Sequence, residues 1–295
     1  MNNLRASLLM VGAMAGFAIE DAIIKYLSAL MPVGQIVLVI GLGGGAIFCA
    51  LAWARGLTLI SPEALRGAVL LRNLAEMVSA ALVVLAIALV PLAVVTAILQ
   101  AMPLVVTLGA ALFLREPVGW RRWSAILVGF AGVLLILRPG AADFDPAALL
   151  ALAAVLALST RDLATRRVAP TIHSLQLTAW GFLMIVPAGL ILLAIVAAPP
   201  IVPSAGQWGW LMAAVAAGVM AYAALVGATR SGDIAVTTPF RYSRLVFAMA
   251  IGFFFFGERP DALTLAGSAL VVGAGLFTLW REMRLRPAPP APSAR

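Results

Sequence analysis

The chain has 295 residues, of which 63% are hydrophobic and 11% charged, with a formal net charge of +8. Soluble domains carry roughly 45–50% apolar and about 25% charged residues, so this composition excludes a water-soluble fold. The basic residues sit mostly in short breaks between apolar runs, which excludes nucleic acid as a partner and makes the charge a topology signal in a lipid bilayer.

Ten apolar runs are predicted as membrane-spanning helices, at 6–28, 34–54, 66–90, 92–114, 121–138, 146–168, 174–197, 206–229, 234–256 and 261–281. Each has about the 20 residues a helix needs to cross a hydrocarbon core about 30 Å thick. The start, MNNLR and an apolar run, has the look of a leader, but that run continues through Glu20, Asp21 and Lys25 and nine more follow it, so it reads as a retained first span. GLGGG at 41–45 lies inside an uncharged apolar run with no preceding strand, so it reads as a close-packing surface, as do Gly12 and Gly16. Cys49 is the only cysteine and cannot form an internal disulfide. Trp120 and Trp123, beside Arg121 and Arg122, read as interfacial anchors, and His173 as a solvated loop residue. With the N-terminus placed inside, thirteen basic residues fall on the cytoplasmic side and three, Lys25, Arg138 and Arg259, on the other, which predicts cytoplasmic termini. The Pro- and Ala-rich end at 286–295 reads as a disordered cytoplasmic tail.

A faint duplication runs through the chain at an offset of 141–144 residues. Asp21 and Lys25 fall on Asp162 and Arg166; Ala86, Ala93 and Val94 on Ala228, Ala235 and Val236; Thr96 and Gln100 on Thr237 and Arg241. REP at 115–117 lies near ERP at 258–260, and SAILVG at 124–129 falls on SALVVG at 268–273. Five spans per half is an odd number, so the halves enter the membrane in opposite senses. The expected fold is therefore an all-α integral membrane protein of ten helices in two five-helix inverted repeats, 1–141 and 142–285, an arrangement typical of secondary transporters.

The stretches ALVPLAVVTAILQAMPLVVTLGAALFLREP at 88–117 and FRYSRLVFAMAIGFFFFGERP at 240–260 resemble the ends of the two EamA-type repeats of the drug/metabolite transporter superfamily. The resemblance covers nearly the whole chain. It implies a transporter of small metabolites in a bacterial inner membrane, in a superfamily that includes YddG-like aromatic amino acid exporters and S-adenosylmethionine importers.

Charge inside a bilayer is costly, so embedded ionisable residues tend to face a cavity or a partner. They cluster in segment 1 (Glu20, Asp21), segment 3 (Arg72, Glu76), segment 6 (Arg161, Asp162) and segment 9 (Arg241, Arg244). Gln100 in segment 4 and Tyr222 in segment 8 complete the repeat-related set, which places segments 1, 3, 4, 6, 8 and 9 around a pathway. Thr96, Gln100, Pro103 and Thr107 share one helix face, and Thr237, Arg241, Arg244 and Ala248 the matching one, each beside a proline that favours a kink. The candidate pathway residues are Glu20, Arg72, Glu76, Thr96, Gln100, Met102, Tyr222, Arg241, Tyr242 and Arg244. Three acid–base pairs spaced by four, Arg72 with Glu76, Asp21 with Lys25 and Asp162 with Arg166, are candidates for mutual neutralisation along one helix. Glu20 lacks such a partner and is the candidate free carboxylate, with Arg244 or Arg72 as possible partners across helices.

Arginine holds a carboxylate through two parallel bonds, so the expected cargo is a small amphipathic carboxylate: an amino acid with an apolar or aromatic side chain, moved outward. Export as the direction comes from the resemblance alone, with S-adenosylmethionine uptake as the alternative. An intramembrane enzyme would need a nucleophile–base pair or a metal cluster, for which the chain offers no G-x-S-x-G, H-E-x-x-H or P-loop pattern. A purely structural subunit would have no use for embedded arginines. No cofactor or metal is expected.

Overall fold

A computed structural model describes residues 3–116, 118–142, 144–196, 198–231 and 233–285. The expected tail at 286–295 lies outside the described residues. Among the described residues, ten helices are long and apolar enough to cross a membrane: α1 (Asn3–Ser28), α2 (Val33–Ala54), α3 (Gly67–Leu89), α4 (Leu92–Phe113), α5 (Trp120–Leu137), α6 (Ala148–Thr165), α7 (Ser174–Val196), α8 (Ala205–Ser231), α9 (Thr238–Phe256) and α10 (Ala262–Leu285). Among the described residues there is no strand. Helices satisfy every backbone group within the segment, which hydrocarbon demands. Consecutive spans alternate in direction, so Asn3 and the end of α10 share one face, here the terminal face, opposite the far face.

The halves are interleaved. α1 packs along α8 and α3 along α6, while α2 packs along α7 and α5 along α10. Exchanging the halves converts the first pair into the second and maps each of the last two onto itself, as an inverted repeat requires. The self-matching pairs rest on glycine. A Cβ on Gly132 would stand 2.7 Å from the Gly267 carbonyl oxygen, and one on Gly267 would stand 2.6 Å from that of Gly132. Gly34 and Gly189 meet likewise, at 2.7 and 2.8 Å from one another's carbonyls. Lipid provides no hydrophobic drive between helices, so close backbone approach supplies the association. Because the obstacle is backbone rather than a movable side chain, Gly267→Val is expected to cost about 1–3 kcal/mol through overpacking, read as a lower unfolding temperature in detergent.

Within GLGGG, Gly41 and Gly44 serve contact with α7: a Cβ would fall 2.9 Å from Val186 N and 2.3 Å from the Phe182 ring. Gly16 meets Ala221, whereas Gly12 faces open space and does not pack as expected.

The two prolines act differently. Pro103 offers no N–H to Leu99, four residues before it, and α4 breaks there into Leu92–Leu99 and Met102–Phe113. Pro239 sits in a 3-10 stretch, Thr238–Tyr242, before α9 resumes as Ser243–Phe256. Both helices then end in the same turn. Arg115 (φ 56°) and Gly257 (φ 65°) are left-handed, and the next backbone N–H returns six residues: Glu116 to the Ala110 carbonyl at 3.2 Å, Glu258 to that of Gly252 at 2.9 Å. All three matches are 142 residues apart, so the weak repeat of the sequence is an accurate structural one here.

On the far face Asp261 caps α10 through Thr264 N at 2.9 Å and is paired with Arg138 from the end of α5. The Arg138 hydrogen bond, helped by Thr264, holds the Asp261 carboxyl below the usual carboxylate range. This clasp is present at neutral pH and is lost only as pH falls through that lowered value.

Candidate functional site

Two ionic groups are embedded within the membrane-spanning helices. In the first, the Arg72 guanidinium on α3 is buried and lies 3.4 Å from Glu76, one turn on. Arg72 Nη1 also donates to Asn73 Oδ1 at 3.0 Å and to the Leu177 carbonyl of α7 at 2.8 Å. Gly181 makes room for it, since a Cβ there would stand 2.6 Å from Nη1. From α6, Arg161 reaches the same Glu76 at 3.4 Å and holds its neighbour Asp162 at 2.8 Å. Glu76 thus bridges two arginines from two helices.

The second group joins α1 to α9. Arg244 donates through Nη2 and Nε to one oxygen of the buried Asp21, at 2.6 and 3.1 Å, and its guanidinium lies over the Phe17 ring with 5.3 Å to the centroid. Beside it, Glu20 is pressed against α8, where a Cβ on Gly218 would come within 2.5 Å of its carboxylate. Glu20 makes no hydrogen bond or ion pair among the described residues. The same holds for the half-buried Arg241 guanidinium, which lies within electrostatic reach of Asp162 and Arg161 of the first group, of Arg244 of the second and of its neighbour Tyr242. Arg241 thus has members of both groups within electrostatic reach and no ion-pair partner among the described residues.

Of the other candidates, Gln100 reaches the Arg241 carbonyl at 3.5 Å, and the Met102 carbonyl lies 3.5 Å from Ser159 Oγ of α6. Both lie at the α4 break. The buried Thr96 hydroxyl has no hydrogen-bond partner among the described residues. Tyr222 on α8 shares a 2.8 Å hydrogen bond with Thr178 and packs edge-on to Phe48 at 5.5 Å and Phe182 at 6.4 Å. Tyr242 lies within electrostatic reach of Arg241. Its hydroxyl lies against Gly275 of α10, where a Cβ would stand 1.7 Å away.

Several sequence expectations are corrected. Asp21 does not neutralise Lys25, nor Asp162 Arg166; of the three spaced pairs, Arg72 with Glu76 is the one that forms. Glu20 pairs with neither Arg244 nor Arg72, because Asp21 and Glu76 already hold them. α7, set outside the path by its lack of charge, supplies the Leu177 carbonyl and Gly181 to Arg72. The sequence reading also missed a far-face cluster. Lys25 Nζ donates to the carbonyls of Ile87 at 3.2 Å and Val90 at 2.8 Å, ending α3, and lies 3.4 Å from Glu258. Glu258 in turn accepts from Leu92 N at 2.7 Å and Ala93 N at 3.1 Å, opening α4. The signal for Glu258 was present in the ERP match to REP. Among the described residues, no group of three or more His, Cys, Asp or Glu is placed to hold a metal ion.

Two antiparallel five-helix halves closing on embedded ion pairs define the architecture on which secondary transporters are built. The chain belongs to the EamA-like transporter family, whose model matches it twice, over residues 4–138 and 145–280. It is 32% identical over 194 residues to a riboflavin transporter of Vibrio cholerae, covering 64% of this chain and 63% of that one. An S-adenosylmethionine uptake transporter of Rickettsia bellii is 26% identical over 208 residues, covering 67% of each. The pseudopaline exporter CntI of Pseudomonas aeruginosa is 28% identical over 269 residues, covering 90% of this chain and 93% of the exporter. The chain thus spans less than two thirds of the Vibrio protein's length but nearly all of the exporter's. These relatives are named as transporters of small molecules, not as enzymes. A crystal structure of a protein superposes with a TM-score of 0.59 at 20% identity over 96% of this chain and 99% of that one, which shows the fold alone.

Proposed function

We propose that the chain is a secondary transporter that exports a small amphipathic amino acid with an apolar or aromatic side chain, by alternating access across a bacterial inner membrane. The observation that carries this reading is the Arg241 guanidinium, embedded in the bundle without an ion-pair partner among the described residues. A guanidinium in such a place is costly unless an anion arrives, and a carboxylate suits its fork. Glu20, equally unpartnered, offers the complementary site for an ammonium group.

Charge balance favours a zwitterion over a simple anion. The cluster holds four arginines, at 72, 161, 241 and 244, and four carboxylates, at 20, 21, 76 and 162. A net-neutral cargo leaves that balance undisturbed. The Phe17 ring under Arg244, with Met102 and Tyr222 among the candidate pathway residues, suits an apolar side chain better than a sugar. Export rests on the family resemblance alone, within which YddG-like aromatic exporters are one branch; the stretches 88–117 and 240–260 mark the superfamily and not the cargo. The basic bias supports a cytoplasmic terminal face, and the repeat supports units at 1–141 and 142–285.

Proteoliposomes holding the purified full chain, loaded with a panel of radiolabelled amino acids, test the reading. Release of apolar or aromatic members above protein-free liposomes is the expected result. Background release for every amino acid removes this cargo class.

A further inference from the structure

The repeat builds one acid–base device twice, and the two copies stand in different states. Lys25 of α1 corresponds to Arg166 after α6 at the offset of 141, and Glu258 corresponds to Glu116 at 142. The acids follow identical left-handed turns, at Gly257 and Arg115, closed by the same returning hydrogen bond. Each acid faces its base at 3.4 Å.

Their surroundings differ. On the far face the Lys25 and Glu258 side chains are 17% and 10% exposed, and between them they bind two carbonyls ending α3 and two amides opening α4. Pro91 breaks the backbone ladder at that junction, and the ion pair satisfies both its ends. Lysine meets the negative end of one helix dipole and glutamate the positive end of the next. The pair thereby ties the first half's α1, α3 and α4 to the second half's α9. On the terminal face the Arg166 and Glu116 side chains are 50% and 51% exposed. Neither makes a hydrogen bond or ion pair with α8, α9 or the junction between them among the described residues.

We propose that these two pairs are alternating seals: Lys25–Glu258 closes the far face in the state seen here, and Arg166–Glu116 closes the terminal face when the far seal parts. The inference rests on the reading of the chain as an alternating-access transporter. A buried ion pair is stable only with its remaining hydrogen-bonding capacity met, and the helix ends at the closed face meet it. When the halves rock, that provision is withdrawn from one pair and offered to the other at the α8–α9 junction near Asp233, which lies 142 residues after Pro91. The two seals therefore exclude one another.

Labelling tests this without reference to cargo. In a Cys49→Ala background, Gln100→Cys is exposed to a membrane-impermeant thiol reagent from either side, in right-side-out and inside-out vesicles. Reaction should be faster from the terminal face. Glu258→Gln and, independently, Lys25→Met should raise the far-face rate about tenfold and slow the terminal-face rate, whereas Glu116→Gln should shift the ratio the other way. Rates unchanged by all three substitutions, or shifted in one direction by both glutamate variants, overturn the proposal. Amino acid release without this exchange would leave the cargo standing and remove the seals. Exchange without amino acid release would do the reverse.

Discussion

Arg241→Ala is expected to lower amino acid release from proteoliposomes by about 10–100-fold, the loss of one charged recognition contact worth roughly 1.5–3 kcal/mol. The protein should nevertheless insert and fold normally. Arg241 has no ion-pair partner among the described residues, so its removal strands no buried carboxylate; the attraction of Asp162 is lost together with the repulsion from Arg161 and Arg244. Unfolding temperature in detergent should hold or rise, as is common where a binding site stores unsatisfied charge. Arg241→Lys keeps a point charge but loses the fork, and should retain intermediate flux. Equal flux in parent and alanine variant would show that the cargo's acid is not read here.

Asp21→Ala is expected to behave in the opposite way. It leaves the Arg244 guanidinium inside the bundle with its carboxylate gone, a loss of about 3–5 kcal/mol for a broken buried pair. A large fall in unfolding temperature in detergent is the readout. The Phe17 ring beneath Arg244 compensates only in part, since a cation over an aromatic face contributes about 0.5–2 kcal/mol. Changing both partners, Asp21→Ala with Arg244→Met, should recover most of the stability. If the single variant is as stable as the parent, Arg244 must have found another partner, with the neighbouring Glu20 carboxylate the nearest alternative.

The fold was legible because the bilayer sets the grammar. Length and apolarity mark each span; the expected 34–54 and 174–197 differ from α2 and α7 by one residue at most at either end. The odd number of spans per half then dictates inversion. The ion-pair partners were not legible. Spacing along one helix suggested Asp21 with Lys25, but the structure sends the first to Arg244 and the second to Glu258, more than 200 residues away. A helical wheel tells which side chains share a face and says nothing of which neighbour that face meets. Only lateral order supplies that, and lateral order comes from glycine contacts such as Gly34 with Gly189. Arg241 and Glu20 were recognised as candidates from their charge, yet what distinguishes them is the absence of a hydrogen bond or ion pair among the described residues. That property belongs to the assembled bundle.

The contacts of α2 with α7 and of α5 with α10 join each helix to its own counterpart. A surface that meets its own copy needs no second, differently shaped surface on the other side, which is the logic of an isologous dimer. The seam that now runs through one polypeptide is the seam that a single five-helix chain, inserted in both senses, would form with a twin. Fusing the two genes would fix the stoichiometry and orientation of such a pair. It would also free each copy to diverge, as Arg115 and Gly257, standing at equivalent left-handed turns, have done.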